Sequence, residues 1–317
     1  MIPSISPSAN LFLIGLSRLQ TTIATATAQL TSGYRISQPS DAPDQISPLL
    51  QLQANLNHNQ AVVSSLTRVQ ADLSSADQAM STAIQLLDQA RSLGAQGASG
   101  TASDATRINL AQQIQTIQEQ MVALANTQVT GRYIFSGDQD ASQPYALDLS
   151  QAPTVPQNGV DRLLTTPVTA SRRIELSDRS TTVVDQTAQD LFDHRNADDS
   201  LAPDNVFAAL NALRVALANP SNPNSQANIL TAQMSLRTAS AYLNSEETFY
   251  GNSQNRLAAA VAKINSENLT LQQRISGIRD TDIVQTALEL TAAETQNQAA
   301  MAAEAKLPHT SLFDYLG

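Results

Sequence analysis

The chain has 317 residues, a formal net charge of -10, no Cys, no Trp and only 4% aromatic residues. Without Cys there is no disulfide and no thiolate metal site, and an acidic chain with no basic face argues against binding nucleic acid, whose phosphates need neutralising. Scarce aromatics among abundant Ala, Gln, Ser and Thr suit thin helices with narrow seams better than one thick core, with room for two or three domains.

Leu11 to Leu16 is apolar, but no Lys or Arg precedes it and it stops at Ser17-Arg18, so it does not read as a signal peptide. No run reaches the roughly 18 apolar residues of a membrane span, so no membrane insertion is expected. From Ser8 to Thr31, Leu16, Leu19, Ile23, Ala26 and Leu30 alternate at steps of three and four, which predicts an amphipathic helix ending at Gly33. Pro39 to Pro43 is a turn-rich break.

A second block, Pro48 to Leu93, carries the seven-residue row Leu52, Asn59, Leu66, Leu73, Met80, Leu87 and, three positions on, Val62, Val69, Ala76, Ala83, Ala90. These form an a/d seam with Asn59 as a polar, register-setting position. Gly94, Gly97 and Gly100 break it, and Ser103 to Asn126 stacks Leu110, Ile114, Ile117, Met121 and Leu124 on one helical face. From Arg132 to about Phe192 short β-prone runs alternate with turns: Tyr133 to Phe135, Tyr145 to Leu147, Val160 to Leu164, Arg173 to Leu176 and Thr181 to Val184. A helix with Phe207, Leu210, Leu213 and Leu217 follows.

The longest pattern comes next. Ile229, Leu236, Leu243, Tyr250, Leu257, Ile264, Leu271 and Ile278 form an unbroken seven-residue row. A helix of that length spans roughly 75 Å, and the row requires a partner seam. A last helix runs from about Thr281 to Lys306.

The two long rows bury each other if the chain folds back on itself. The expected fold is therefore mainly α: a long antiparallel coiled-coil rod built by the N- and C-terminal halves, with a small β-rich inserted domain. The expected division is 1–47 plus 281–317 as terminal helices, 48–131 plus 205–280 as the helical rod, and 132–204 as the insert.

The termini differ in charge. Residues 1–40 carry Arg18 and Arg35 and no acid, whereas residues 280–317 carry Asp280, Asp282, Glu289, Glu294, Glu304 and Asp314 against Lys306. Such helices can pair within one chain or between chains, each exposed contact contributing about 0.2–1 kcal/mol. Both are poor in large apolar residues and marginal in isolation, which suggests ordering on assembly.

No catalytic, cofactor or metal motif emerges. His58, His194 and His309 lie on separate elements without a carboxylate partner at ligand spacing, and Asp193, Asp198 and Asp199 read as solvated acids. An enzyme is not expected.

Several segments resemble the flagellin family. Leu30-Thr31-Ser32-Gly33-Tyr34-Arg35-Ile36 is similar to its turn after the first helix, Gly251 to Leu257 with Arg256 to its Gly-x-x-x-x-Arg-Leu pattern, and Ile275 to Asp282, with Asp280 and Asp282, to its Ile-x-Asp-x-Asp region. Three more resemble the branch that joins hook to filament: Pro39-Ser40-Asp41-Ala42-Pro43, with Ala42 where that branch has a second Asp; Gly131-Arg132-Tyr133-Ile134-Phe135-Ser136-Gly137; and the ending Ser311 to Leu316. The resemblance covers both helical ends, roughly 1–135 and 205–317. It implies polymerising termini, with Phe12, Leu16, Leu19, Ile23, Leu30, Leu290, Leu312, Phe313, Tyr315 and Leu316 as assembly residues. It also implies a ring of copies of the chain between a preceding hook-associated protein and flagellin, a flagellar export chaperone, and export to the flagellum without a cleaved signal peptide. A filament flagellin is the alternative inside the family. A chemoreceptor-type signalling coiled coil is the alternative outside it, although such hairpins carry no sheet; a helical toxin would need a long apolar hairpin that is absent.

Overall fold

The computed structural model describes residues 7–150, 157–164, 173–175 and 181–305. Helices dominate: α1 (Pro7–Ser32), α2 (Pro43–Gly97), α3 (Asp104–Ala125), the single turn α4 (Ala188–Leu191), α5 (Val206–Ala218), α6 (Ser225–Arg279) and α7 (Ile283–Glu304). Three antiparallel two-stranded sheets lie between α3 and α4: β1 (Gln128–Val129) with β2 (Arg132–Tyr133), β3 (Tyr145–Leu147) with β4 (Val160–Arg162), and β5 (Arg173–Glu175) with β6 (Thr181–Val183). The chain divides into two compact units, 1–60 with 266–317 and 61–265.

The helices start where side chains can satisfy their free amides. Ser103 caps α3 by accepting from the Thr106 amide, Asn205 caps α5 through Ala208, and Asp282 caps α7 through Val284 and Gln285. Pro43 occupies the first turn of α2, where a missing N–H costs nothing. The second block therefore begins earlier than the pattern suggested: α2 passes unbroken through Pro48, so residues 47 and 48 belong to one helix.

Within the larger unit the two seven-residue rows are buried together. Leu66, Leu73, Met80 and Leu87 of α2 share one hydrophobic core with Ile229, Leu236, Leu243, Tyr250, Leu257 and Ile264 of α6. The helices run antiparallel: the Gln226 amide reaches the carbonyl of Ala98, Gly94 lies against Gln233, and Tyr250 faces Val69, Leu73 and Ala76. In the smaller unit the row drifts off its face. Leu271 and Ile278 are only half-buried, and Ile275, eleven residues after Ile264, takes the buried position. An eleven-residue step keeps a face that a seven-residue step loses on a straight helix.

The β-rich segment has no core of its own. Ile134, Phe135, Tyr145, Val160, Leu191 and Phe192 bury into the same cluster as the long helices. Phe192 contacts Phe135 edge-on at 5.8 Å and stacks on Phe207 of α5 at 6.1 Å, and Tyr145 lies 5.2 Å from Phe207. Thr130 and Gly131, both at positive φ, turn β1 into β2, a conformation that suits Gly at the second position.

Gly94 and Gly97 do not break α2 but sit in its last turns. A Cβ on Gly97 would lie 2.3 Å from Leu217 Cδ2, so this glycine lets α5 approach α2 closely. Gly251 is also helical, yet a Cβ there meets nothing within 4 Å. We expect Gly97→Val to lower stability by about 1–3 kcal/mol through overpacking, and Gly251→Ala to raise it by about 0.5–1 kcal/mol through helix propensity. Urea midpoints of the two variants should move in opposite directions.

Candidate functional site

The smaller unit contains two features, a stitched joint and a thin helix pair. The joint forms where both chain segments leave helical geometry at one level. Gly33, at φ +75°, ends α1 with its amide on the Gln29 carbonyl. Tyr34 then forms an antiparallel bridge to Asp280, the amides of Arg35 and Ile36 reach the Arg279 carbonyl at 2.7 and 3.2 Å, and the Thr281 amide reaches the Gly33 carbonyl at 3.0 Å. The Arg35 guanidinium donates to Gln45 Oε1 at 2.8 Å and to the Ile278 carbonyl at 2.6 Å, tying the starts of α2 and the end of α6 to the turn. Arg279 lies 4.0 Å over the Tyr34 ring.

Two carboxylates lock this region. Asp41, in a short 3-10 turn that Pro39 opens, accepts from the backbone amides of Gln38 and Ser37, both at 2.9 Å, and these bonds hold its pKa below the ordinary value. The Ser276 hydroxyl and then Arg279 do the same for Asp280. A pKa lowered by folding contributes stability above the unfolded value, and that contribution is lost as pH falls through the folded one. The joint should therefore loosen below about pH 4, seen as loss of the Ser37 and Gln38 amide shifts in NMR, and Asp41→Asn should start in the loosened state. Ala42, where the hook-to-filament branch has a second Asp, is buried at the end of this turn.

From the joint α1 and α7 run side by side in opposite directions, in contact along their length. Phe12, Leu16, Leu19, Ile23, Leu30 and, on α7, Leu290 are half-buried, while among the described residues of the two helices only Ala26, Thr286 and Ala293 are buried. Thus the periodic row Leu16, Leu19, Ile23, Ala26 and Leu30, and with it Phe12 and Leu290 of the residues named for assembly, are at least half-buried within the single chain. The large apolar residues left in solvent are different ones: Leu11, Leu13 and Ile14 on α1, and Ile283, Val284, Leu288 and Met301 on α7. Leu312, Phe313, Tyr315 and Leu316, together with His309, lie outside the described residues.

The other motif residues have structural placements. Gly131 turns the first hairpin, Tyr133 is half-buried, Phe135 is core, and Gly137 adopts φ +53° in a 3-10 turn. Arg256 is exposed on α6.

Two polar readings need correction. Asp193 is not a solvated acid. It is fully buried and accepts from Tyr145 Oη (3.2 Å), Asn158 Nδ2 (2.9 Å), Asn205 Nδ2 (2.8 Å) and Arg195 Nε (2.9 Å). Burial, and then the charge of Asp193, push the Tyr145 hydroxyl well above its usual pKa. Asp199 pairs with Arg162 at 2.8 Å, which lowers its pKa. His194 does have a carboxylate partner: it lies 2.7 Å from Asp204 and stacks on Tyr242 at 4.8 Å. Sequence spacing hid both because the partners come from separate turns.

Among the described residues no group of three or more His, Asp or Glu side chains has metal-binding geometry, and no helix is long and apolar enough to cross a membrane. A groove of about 320 Å³ between α5 and α6 is lined by Asn211, Asn219, Asn228, Thr231, Ser235 and small apolar residues, with no titratable group.

Comparison with known proteins accounts for this arrangement. Residues 8–140 match the bacterial flagellin N-terminal helical region and residues 225–316 match the bacterial flagellin C-terminal helical region. The chain belongs to the bacterial flagellin family. The α2–α6 core, the joint and the α1–α7 pair each bring residues of the matched N-terminal region against residues of the matched C-terminal region. Flagellar hook-associated protein 3 of Escherichia coli strain K12 is 25% identical over 246 residues, 75% of this chain and 71% of that protein. The Salmonella typhimurium protein of the same name is 27% identical over 199 residues, 61% of this chain and 59% of that protein. Among solved structures, the flagellar junction protein FlgL from Legionella pneumophila has a TM-score of 0.53 at 15% identity, over 75% of this chain and 100% of that one. A protein assigned as flagellar hook-associated, from Vibrio parahaemolyticus, has a TM-score of 0.61 at 18% identity, over 76% of this chain and 100% of that one. At these identities the structural likeness shows a shared, mainly α fold with a small β part.

Proposed function

We propose that this flagellin-family chain is a structural, non-enzymatic subunit of the bacterial flagellum that joins hook to filament. The observation that carries the reading is the likeness to two relatives named flagellar hook-associated protein 3, one of them matched over 71% of its length. The family's terminal regions are here a thin helix pair with large apolar side chains left outside, which supports assembly through those termini. In this reading 1–47 and 281–317 assemble, 48–131 with 205–280 form the helical shaft, and 132–204 is an insert. The terminal pair gains its full order when neighbours cover it, because its own seam buries so little. The partners are copies of the chain in a ring, a hook-associated protein on one side and flagellin on the other, with a dedicated chaperone during export and an extracellular position on the flagellum.

Seeding distinguishes this from a filament flagellin. Purified monomer mixed with filament fragments should leave their length unchanged under conditions in which flagellin extends them. Continuous elongation would assign the chain to the filament instead.

A further inference from the structure

Asn158-Gly159 is the one Asn-Gly pair in the chain, and the fold requires each half of it for a different reason. Gly159 sits at φ +74°, in the left-handed region, and a Cβ there would lie 2.2 Å from Gln118 Nε2, so glycine is the residue that fits. Asn158 is 1% exposed; its Nδ2 donates to Asp193 Oδ1 at 2.9 Å and its carbonyl accepts from Gln118 Nε2 at 3.0 Å. Asp193 is itself a fully buried carboxylate, so the group facing it there must be a neutral donor. Packing and electrostatics together therefore impose the dipeptide in which a side-chain amide is most readily lost. A backbone nitrogen belonging to a residue without a side chain attacks the preceding Asn Cγ with the least hindrance.

We infer that Asn158 is a site of spontaneous deamidation, closed in the folded chain and open in the unfolded one. The Gly159 nitrogen bonds to Asn158 Cγ, the Cγ–Nδ2 bond breaks, and Nδ2 leaves as ammonia with the Gly159 amide proton. Water then opens the succinimide to aspartate or isoaspartate. In the folded chain the side chain cannot swing over its own peptide bond. Nδ2 is held by Asp193, Oδ1 accepts from the Val160 amide at 3.4 Å, and the carbonyls on either side of the Gly159 Cα accept from Gln118 and from the Asp148 amide at 3.0 Å. Unfolding releases all of these restraints and admits water. The products do not fit back. Aspartate sets a second buried carboxylate against Asp193, where an amide had donated, and two such charges in contact cannot both stay ionised. Isoaspartate lengthens the backbone by one carbon between two hydrogen-bonded positions. The site thus converts time spent unfolded into an irreversible loss of stability. Nothing in this chemistry depends on the place of the chain in the flagellum.

Full-length chain, kept folded in buffer or unfolded in urea at neutral pH, is sampled over time and digested with trypsin for mass spectrometry. The peptide 133–162 contains a single Asn, residue 158, so the mass gain of Asn deamidation in it reports this site alone. Deamidation should run at least tenfold faster in urea than in buffer. The incubated chain is then diluted to a urea concentration at which unmodified chain refolds, and the native fraction is collected by size exclusion; modified peptide should be depleted from it. Equal rates in the two states overturn the protection, and an unchanged Asn158 in urea overturns the site. Modified chain entering the native fraction in proportion to its abundance overturns the loss of stability. Asn158→Asp and Asn158→Ala separate added charge from a lost hydrogen bond. Asn158→Asp should lower the folding equilibrium constant at least tenfold more than Asn158→Ala does. Equal losses overturn the electrostatic cause.

Discussion

Leu288→Asp is expected to reduce incorporation into flagella at least tenfold while leaving the isolated chain folded. Leu288 is on the outer face of α7, largely in solvent, so the substitution removes little intramolecular packing. Asp in a helix interior costs at most about 0.7 kcal/mol of propensity. Against a neighbour the same change places a carboxylate in an apolar contact, where an unpaired charge is strongly unfavourable. Ile23→Asp should behave differently, because Ile23 is half-buried in the seam with α7; it should loosen the α1–α7 pair in the monomer as well. Circular dichroism of the purified chains and blotting of sheared flagella separate the two outcomes. Normal incorporation of Leu288→Asp would remove the outer face of α7 from the assembly surface.

Asp193→Ala should cause the largest loss of stability of any single substitution considered, about 3–5 kcal/mol. The carboxylate is fully buried and gathers Tyr145 from β3, Asn158 from the turn before β4, Asn205 at the cap of α5 and Arg195. Removing it takes a buried acceptor from four donors at once, one of them a guanidinium only 9% exposed. Asp161, exposed on β4, provides the contrast, and its replacement by Ala should stay within about 0.5 kcal/mol. Urea unfolding followed by tyrosine fluorescence measures both. A midpoint for Asp193→Ala equal to that of Asp161→Ala would mean that the network adds nothing beyond its own desolvation.

The long helices were legible because their periodicity reports a real partner. Each large residue of the two rows from Leu66 to Leu87 and from Ile229 to Ile264 is buried. Beyond them the rule weakened: Leu271 and Ile278 kept the spacing but not the burial, since the position of a face depends on local helix geometry that composition does not encode. The terminal helices show a related limit. Residues 11 to 14 of α1 are Leu-Phe-Leu-Ile, apolar on every side; only the position of α7 decides that Phe12 turns inward and Leu11 and Ile14 outward.

The short elements were less legible for another reason. The two-residue strands β1 and β2 are too brief to alternate, and their turn is marked only by Thr130-Gly131. Gly97 looked like a helix breaker because a sequence does not show Leu217 approaching from another helix. Asp193 looked solvated because its partners lie up to 48 residues away. The motif residues Gly33, Arg35, Asp41 and Asp280, by contrast, lie around one joint although they come from both ends of the chain.

In the proposed role this chain occupies the boundary between hook and filament. Gold-labelled antibody against the chain, applied to detached flagella and viewed by electron microscopy, tests it most directly. Label confined to a narrow band where hook meets filament is the expected result. Label distributed along the whole filament, or none on flagella from cells that export the protein, would contradict it.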